Sequence, residues 1–158
     1  MRTRFADALK GHEADYLEIH FEESQSTNIT YRGERLEEVG RVSNHGSNVR
    51  ALVKGSWGFV SFNDLDKLRD KVALTVEEAR LASREAFKLI PVEPVVDVVT
   101  QQMKKDSATV PLLAKKRLLD EYNDIILSNP KIQSSRIDYR DSSRKVTFAN
   151  SEGSYIEQ

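Results

Sequence analysis

The sequence predicts an α+β fold: a mainly antiparallel sheet of hairpins, with two long helices packed on one face and a short N-terminal helix. Apolar and polar residues alternate over most of the first 62 positions, which is the period of half-buried strands. Glycine-containing turns separate these alternating runs. In contrast, residues 64–87 and 111–127 repeat their apolar residues every three to four positions, which indicates amphipathic helices.

The composition is that of one globular domain. The chain has 158 residues, of which 39% are hydrophobic and 31% charged, enough for a single core of ordinary size. Twenty-four basic residues balance 25 acidic ones, so no strong attraction to nucleic acid or to a membrane surface is expected. There is no cysteine, no apolar run near membrane length and no signal-peptide core, which favours the cytoplasm.

A sheet meander is predicted over residues 14–62, after a short helix at residues 3–11. The first strand is predicted at residues 15–23, so a break is expected at residues 24–25. It alternates cleanly, with Leu17, Ile19 and Phe21 on the side expected to be buried. Further strands are predicted at residues 26–32 and 35–43. Turns are expected at Gly33–Glu34 and at residues 44–46.

The last hairpin of the meander spans residues 46–62. One face of its first strand carries Val49, Ala51 and Val53. Gly55 supplies the positive φ that the tight turn needs, and Gly46 and Gly58 each mark a close backbone approach or a bulge. Trp57 and Phe59 share a face of the second strand. Trp57, the only tryptophan, is expected to be the largest core anchor.

The rest of the chain is read as helix, linker, helix and hairpin. Two prolines make residues 89–95 a linker after the long helix 64–87. Residues 95–108 stay open between a short extended piece and a helical turn. The second helix, residues 111–127, has an expected apolar stripe of Leu112, Leu119, Tyr122 and Ile126. A final hairpin is predicted over residues 132–150, with a turn at 141–143, and a strand begins at residue 154. That last strand either pairs with an existing edge or belongs to a longer protein, the reading we favour.

No metal site is predicted from the histidines. His12-Glu13 opens like a zincin motif, but the fifth position is Tyr16. His20 lies between Glu18 and Glu22 on one strand face, and a solvated mixed-charge face is favoured over a metal face. His45 lies in a predicted turn and is expected to be exposed.

Other catalytic and binding patterns are missing too. No serine sits in a nucleophile elbow, and adjacent carboxylates on strands point to opposite faces. The arginines that could gather on the sheet are interrupted by acidic residues and lack an aromatic stacking row, which argues against nucleic-acid binding; they are Arg32, Arg35, Arg41 and Arg50. The residues therefore predict no catalytic or metal-binding side chain, and they leave the substrate-binding side chains unknown.

Several blocks of the chain nevertheless carry a resemblance, in the same order. They are residues 14–20, 33–39, 46–59, 63–65 and 150–153. Together they resemble the N-terminal domain of the TldD/PmbA family of metallopeptidases, once described as modulators of DNA gyrase. The positions that match the family motifs are expected to be structural: Gly46, Val49, Arg50, Gly55, Trp57, Gly58, Phe59, Asn150, Ser151, Glu152 and Gly153.

The resemblance implies one N-terminal domain over residues 1–158 without the C-terminal catalytic domain. The zinc motif of TldD-type members lies in that missing domain, so no cofactor and no catalytic residue is expected here, and the chain is predicted to be inactive alone. The family implies a role in enclosing a peptide chamber and in forming a homo- or heterodimer with another TldD/PmbA-type subunit. Its substrates are unstructured peptides. Whether the chain is TldD-like or PmbA-like stays open.

Two other functions remain possible from the residues alone. One is a free-standing module that binds a peptide or a protein at a sheet edge, since a weak edge accepts an extended segment through main-chain hydrogen bonds. The other is a small enzyme with an unrecognised site.

Overall fold

The computed structural model describes residues 1–81 and 89–158, and in them the α+β prediction is confirmed. The helices are α1 (Arg2–Leu9), α2 (Leu68–Leu81) and α3 (Leu112–Leu127), with a 3₁₀ turn at Ser107–Thr109. The strands are β1 (Tyr16–Arg32), β2 (Arg35–Val53), β3 (Ser56–Phe62), β4 (Val96–Val98), β5 (Arg136–Asn150) and β6 (Tyr155–Glu157). They form one sheet in the order β3-β2-β1-β5-β6-β4. The pairs β2–β3 and β5–β6 are antiparallel, and β4 runs parallel to β6.

The two tight turns predicted in the meander are present. Gly33 has φ +56° between β1 and β2, and Gly55 has φ +79° between β2 and β3. Lys54 precedes Gly55 with φ +47°, so both central residues of this two-residue turn are left-handed, as a type I′ hairpin requires.

The other predicted strand breaks are wrong. β1, β2 and β5 are continuous over 17, 19 and 15 residues, through the breaks predicted at residues 24–25, 44–46 and 141–143. Gly46 does not adopt a positive φ, because ladder pairing holds this turn-like sequence extended. The predicted hairpin 132–150 is therefore one strand that begins at Arg136.

The chain divides into two compact units. Unit 1 comprises residues 1–23, 45–101 and 145–158, and unit 2 comprises residues 24–44 and 102–144. The three long strands each contribute residues to both units. The wrongly predicted breaks lie at or within a few residues of the positions where these strands pass from one unit to the other.

Unit 1 has its core between α1, α2 and one face of the strands. Phe5, Ile19, Val49 and Val72 have no exposed surface. The predicted burial of Leu17, Ile19 and Phe21 is confirmed, since all three belong to this core. Helix α2 begins at Leu68 rather than at residue 64, and the part of the predicted helix at residues 82–88 lies outside the described residues.

Unit 2 packs α3 against Ile29 and Tyr31 through Leu119. The predicted stripe is wrong at Tyr122, which is half exposed, because the buried face runs instead through Lys115, Leu119 and Asn123. The Lys115 ammonium lies 2.6 Å from the Asp141 carboxylate, and it donates to the Thr27 hydroxyl at 3.3 Å. The Asn123 amide donates to the Gly33 carbonyl at 2.9 Å. Specific partners thus let polar residues take buried positions.

No helix in the described part of the chain combines the length and apolar character needed to span a membrane. Residues 89–95 form neither helix nor strand, and β4 begins directly after them.

Candidate functional site

The sheet ends in two edges of very different character. β4 has only three residues, and the Asp97 side chain accepts the Val98 backbone N–H at 2.8 Å. β3 is seven residues long, and its sequence contains no charged residue and no proline. Charges, prolines and short length are the usual means of protecting an edge from pairing with another chain. By this measure β4 is protected and β3 is open.

One face of β3 is closed by helix α2. A Cβ atom placed on Gly58 would lie 2.2 Å from the Thr75 carbonyl oxygen and 2.9 Å from the Ala79 nitrogen. Only a residue without a side chain permits this approach, so the predicted role of Gly58 is confirmed. Ala51, which pairs with Gly58, belongs to the core of unit 1.

The other face of β3 carries Trp57 and Phe59, and it is open. Trp57 is 37% exposed and Phe59 57% exposed. The expectation that Trp57 is a core anchor is therefore wrong. The period of two places Trp57 opposite to Gly58, and the helix lies on the glycine side. Trp57 pairs with Leu52 and Phe59 with Arg50 across the hairpin.

A polar network supports these rings. The Arg50 guanidinium lies 4.3 Å from the centre of the Trp57 ring, and its Nη1 donates to Glu18 Oε1 at 3.1 Å. The Tyr16 hydroxyl donates to Glu18 Oε2 at 2.9 Å, and its ring meets Trp57 edge to face at 6.1 Å. Both oxygens of the buried Glu18 carboxylate are thus occupied. Burial and the neighbouring Glu18 carboxylate raise the pKa of Tyr16 to about 12, against the opposing hydrogen bond from Asn150.

The last family-motif block, residues 150–153, forms a turn beside this network. Asn150 donates to the Tyr16 hydroxyl at 3.4 Å and accepts the Ser154 N–H at 2.8 Å. Ser151 exchanges hydrogen bonds with the Leu17 backbone at 2.8 and 3.0 Å. Gly153 has φ +102°, and Glu152 is exposed.

The remaining motif positions lie in the β2–β3 hairpin. Val49 is fully buried in the core of unit 1, Gly55 forms the turn, and Gly46 lies within β2. The close backbone approach predicted at Gly46 is wrong, because a Cβ atom there would meet Asn63 Oδ1 at an ordinary 3.7 Å. Sequence reasoning assigned Tyr16 no role and placed Glu18 on a solvated strand face, which is wrong because Glu18 is buried. The signal was available, because alternation places both on the face opposite Leu17 and Ile19.

The histidine face considered for metal binding does not fit zinc. Glu18 already accepts two hydrogen bonds, and the His20 ring lies 4.9 Å from the Phe148 ring. His12 lies 3.1 Å from the Ala8 carbonyl oxygen. Across residues 1–81 and 89–158, no group of three or more His, Cys, Asp or Glu side chains is arranged to hold a metal ion.

The sequence is similar to metalloproteases. The family described as PmbA/TldA metallopeptidase domain 1 matches residues 17–83. A metalloprotease of Synechocystis is 34% identical over 148 residues, which are 92% of this chain and 32% of that protein. One of Methanocaldococcus jannaschii is 29% identical over 149 residues, which are 90% of this chain and 33% of that protein. The chain thus spans about a third of the length of these relatives.

Solved structures show the same fold. A Thermotoga maritima protein assigned as a modulator of DNA gyrase has a TM-score of 0.72 at 11% identity, over 90% of this chain and 33% of that one. TldE from Thermococcus kodakarensis has a TM-score of 0.72 at 15% identity, over 98% of this chain and 35% of that one. The chain therefore belongs to the TldD/PmbA metallopeptidase family, in which it corresponds to the N-terminal domain.

Proposed function

We propose that this chain is a non-catalytic domain of a TldD/PmbA-like metallopeptidase that binds an extended peptide as an added strand along the outer edge of β3. The observation that carries the proposal is the open edge itself: seven residues at the end of the sheet, without charge or proline. Such an edge presents alternate N–H and C=O groups to an incoming strand.

Binding by main-chain hydrogen bonds suits a domain that lines a peptide chamber. Those bonds do not depend on the side chains of the peptide, so many unstructured peptides are accepted. A net contribution of about 0.5–1.5 kcal/mol for each bond, offset by the ordering of the peptide, gives an affinity on the order of millimolar to high micromolar. Such weak binding lets a peptide move on to a catalytic centre.

We also propose where this domain lies in the assembled peptidase. The domain forms part of the chamber wall and part of a dimer surface with another TldD/PmbA-type subunit in the cytoplasm. The zinc that the family implies is not assigned to residues of this chain, because the His20 face does not fit it. Cleavage is therefore assigned to another part of the assembly.

The test is an amide shift and hydrogen-exchange map of the ¹⁵N-labelled chain during titration with a blocked extended peptide. We expect changes concentrated in β3, and weaker changes in its neighbour β2. The matched control is the same peptide with alternate amides N-methylated, which cannot pair as a strand and should produce no changes. Changes that avoid β3, or no changes at all, would sink the proposal.

The sheet edge also supports the alternative of a free-standing binding module. The gene sequence after the Gln158 codon distinguishes the two functions. Continuation into a zinc motif supports the peptidase domain, and a stop codon supports the module. Zinc-dependent peptide cleavage by the 158-residue chain alone would contradict both.

A further inference from the structure

The open face of β3 offers a side-chain platform in addition to its backbone. Trp57 and Phe59 lie two residues apart on the same face of an edge strand, and both are exposed. In an antiparallel pair, directly opposed side chains have Cβ atoms about 4.5–5.5 Å apart. A strand added to β3 would therefore place alternate side chains against these two rings.

Arg50 adds an anion-binding group to the platform. It belongs to β2, but its guanidinium lies over Trp57 and so reaches towards the edge strand. Nη1 is used by Glu18, whereas Nε and Nη2 have no partner among residues 1–81 and 89–158. The side chain is 44% exposed. An Nε–Nη2 edge matches the two oxygens of a carboxylate.

The Glu18 carboxylate below the platform is not available to this edge. Both Glu18 oxygens already accept hydrogen bonds, one from Tyr16 and one from Arg50. A second copy of the chain, pairing β3 with β3, would bring another Arg50 and no available Glu18. Charge complementarity therefore favours an acidic peptide over a second copy.

We propose that the β3 edge selects extended peptides in which an acidic side chain is followed or preceded, two residues away, by an apolar side chain. The acidic side chain lies against Arg50 above Trp57, and the apolar side chain lies against Phe59. This selectivity rests on the proposed function, which it restricts to a class of peptides.

The experiment uses the intrinsic fluorescence of Trp57, the only tryptophan in the chain. The probe is a heptapeptide with blocked termini in which threonine alternates with leucine, glutamate and leucine. One comparison peptide has glutamine for glutamate, and another has serine for both leucines. We expect the glutamine peptide to bind about three- to tenfold more weakly, with a difference that shrinks at high salt.

Arg50→Gln should abolish the difference between the glutamate and glutamine peptides. Arg50→Lys keeps the charge beside Glu18 but loses the planar edge, and it should lose most of the difference with the fold intact. The matched control is Arg80→Gln. Arg80 has a similar exposure of 48% and pairs with Glu13 at 3.1 Å, but it lies on α2 and not beside Trp57. It should leave the difference unchanged.

The outcomes separate the two proposals. Equal binding of all three peptides, with amide changes still in β3, would overturn the selectivity and leave the proposed function standing. No binding of any peptide would overturn both. A concentration-dependent protection of β3 without peptide would assign the edge to a second copy, and it would also overturn the selectivity.

Discussion

Gly58→Ala should destabilise unit 1 strongly. The added methyl group would lie 2.2 Å from the Thr75 carbonyl oxygen and 3.2 Å from the Ala79 methyl group. Ordinary contact requires α2 and β3 to separate by roughly 1 Å, and a gap of that size removes a quarter to a half of the dispersion energy at the contact. Val72, Thr75, Val76 and Ala79 are all buried along α2. We expect a loss of about 2–3 kcal/mol.

Gly46→Ala is the matched control. Gly46 also lies in a strand of unit 1, but its nearest neighbour would be Asn63 Oδ1 at an ordinary 3.7 Å. We expect no loss and a gain of up to about 1 kcal/mol, because alanine restricts the unfolded chain.

The assay is urea unfolding followed by Trp57 fluorescence, with m-values compared between the variants. Thermal unfolding should show the Gly58 variant about 5–10 °C lower. If Gly58→Ala is no less stable than Gly46→Ala, the close packing of α2 on β3 is refuted.

Two further perturbations test the polar contacts. Lys115→Ala should lower the free energy of unfolding by about 3 kcal/mol, because the Asp141 carboxylate loses its buried ammonium partner. Lys116→Ala should lower it much less, because Lys116 is more exposed. Hydrogen exchange of the α3 amides measures both effects. Burial opposes ionisation of Asp141, but the hydrogen bonds from Lys115 and Tyr139 outweigh it and hold the pKa of this carboxyl below its usual range. The stabilisation should therefore be complete above about pH 4 and should be lost as the pH falls below that. Tyr16 has its pKa raised from 10.0 to about 12, so its contribution to stability is complete below pH 10 and disappears towards pH 12. In Tyr16→Phe the free energy of unfolding should therefore fall less steeply between pH 9 and 12, and urea unfolding over that pH range measures the difference.

Local rules predicted the parts of the fold that depend on a few neighbouring residues. The turns at Gly33 and Gly55 were predictable because glycine readily adopts a positive φ. The burial of Leu17, Ile19 and Phe21 was predictable from the alternation of apolar and polar residues along the strand. The predicted strand breaks are wrong because backbone pairing with neighbouring strands overrides the local turn preference of the residues at those positions. The buried position of Lys115 depends on Asp141, 26 residues away, and no helical periodicity contains that information.

In the candidate site, too, some features follow from neighbouring residues and others depend on tertiary structure. The sequence correctly places Trp57 and Phe59 on one strand face, but periodicity does not say which face a helix covers. Gly58 indicates which face is covered, because a glycine that permits close approach of a helix lies on the covered face. Its sequence neighbours Trp57 and Phe59 then lie on the uncovered face. The partnership of Arg50 with Glu18 and Trp57 needs the strand order as well, and only the three-dimensional structure supplies it.

The β2–β3 hairpin therefore meets two separate requirements on its two faces. Val49, Ala51 and Gly58 face the helices, where any change of volume is opposed by packing. Trp57 and Phe59 face outward, where a large exposed ring adds little to folding and, on an uncharged edge strand, invites pairing with another chain. If the outward rings served only stability, Phe59→Thr would destabilise the chain about as much as a core substitution. We expect instead that the free energy of unfolding of the Phe59→Thr variant lies within about 1 kcal/mol of that of the unsubstituted chain, whereas its peptide binding is weaker. The urea curve measures the first quantity and the peptide titration the second.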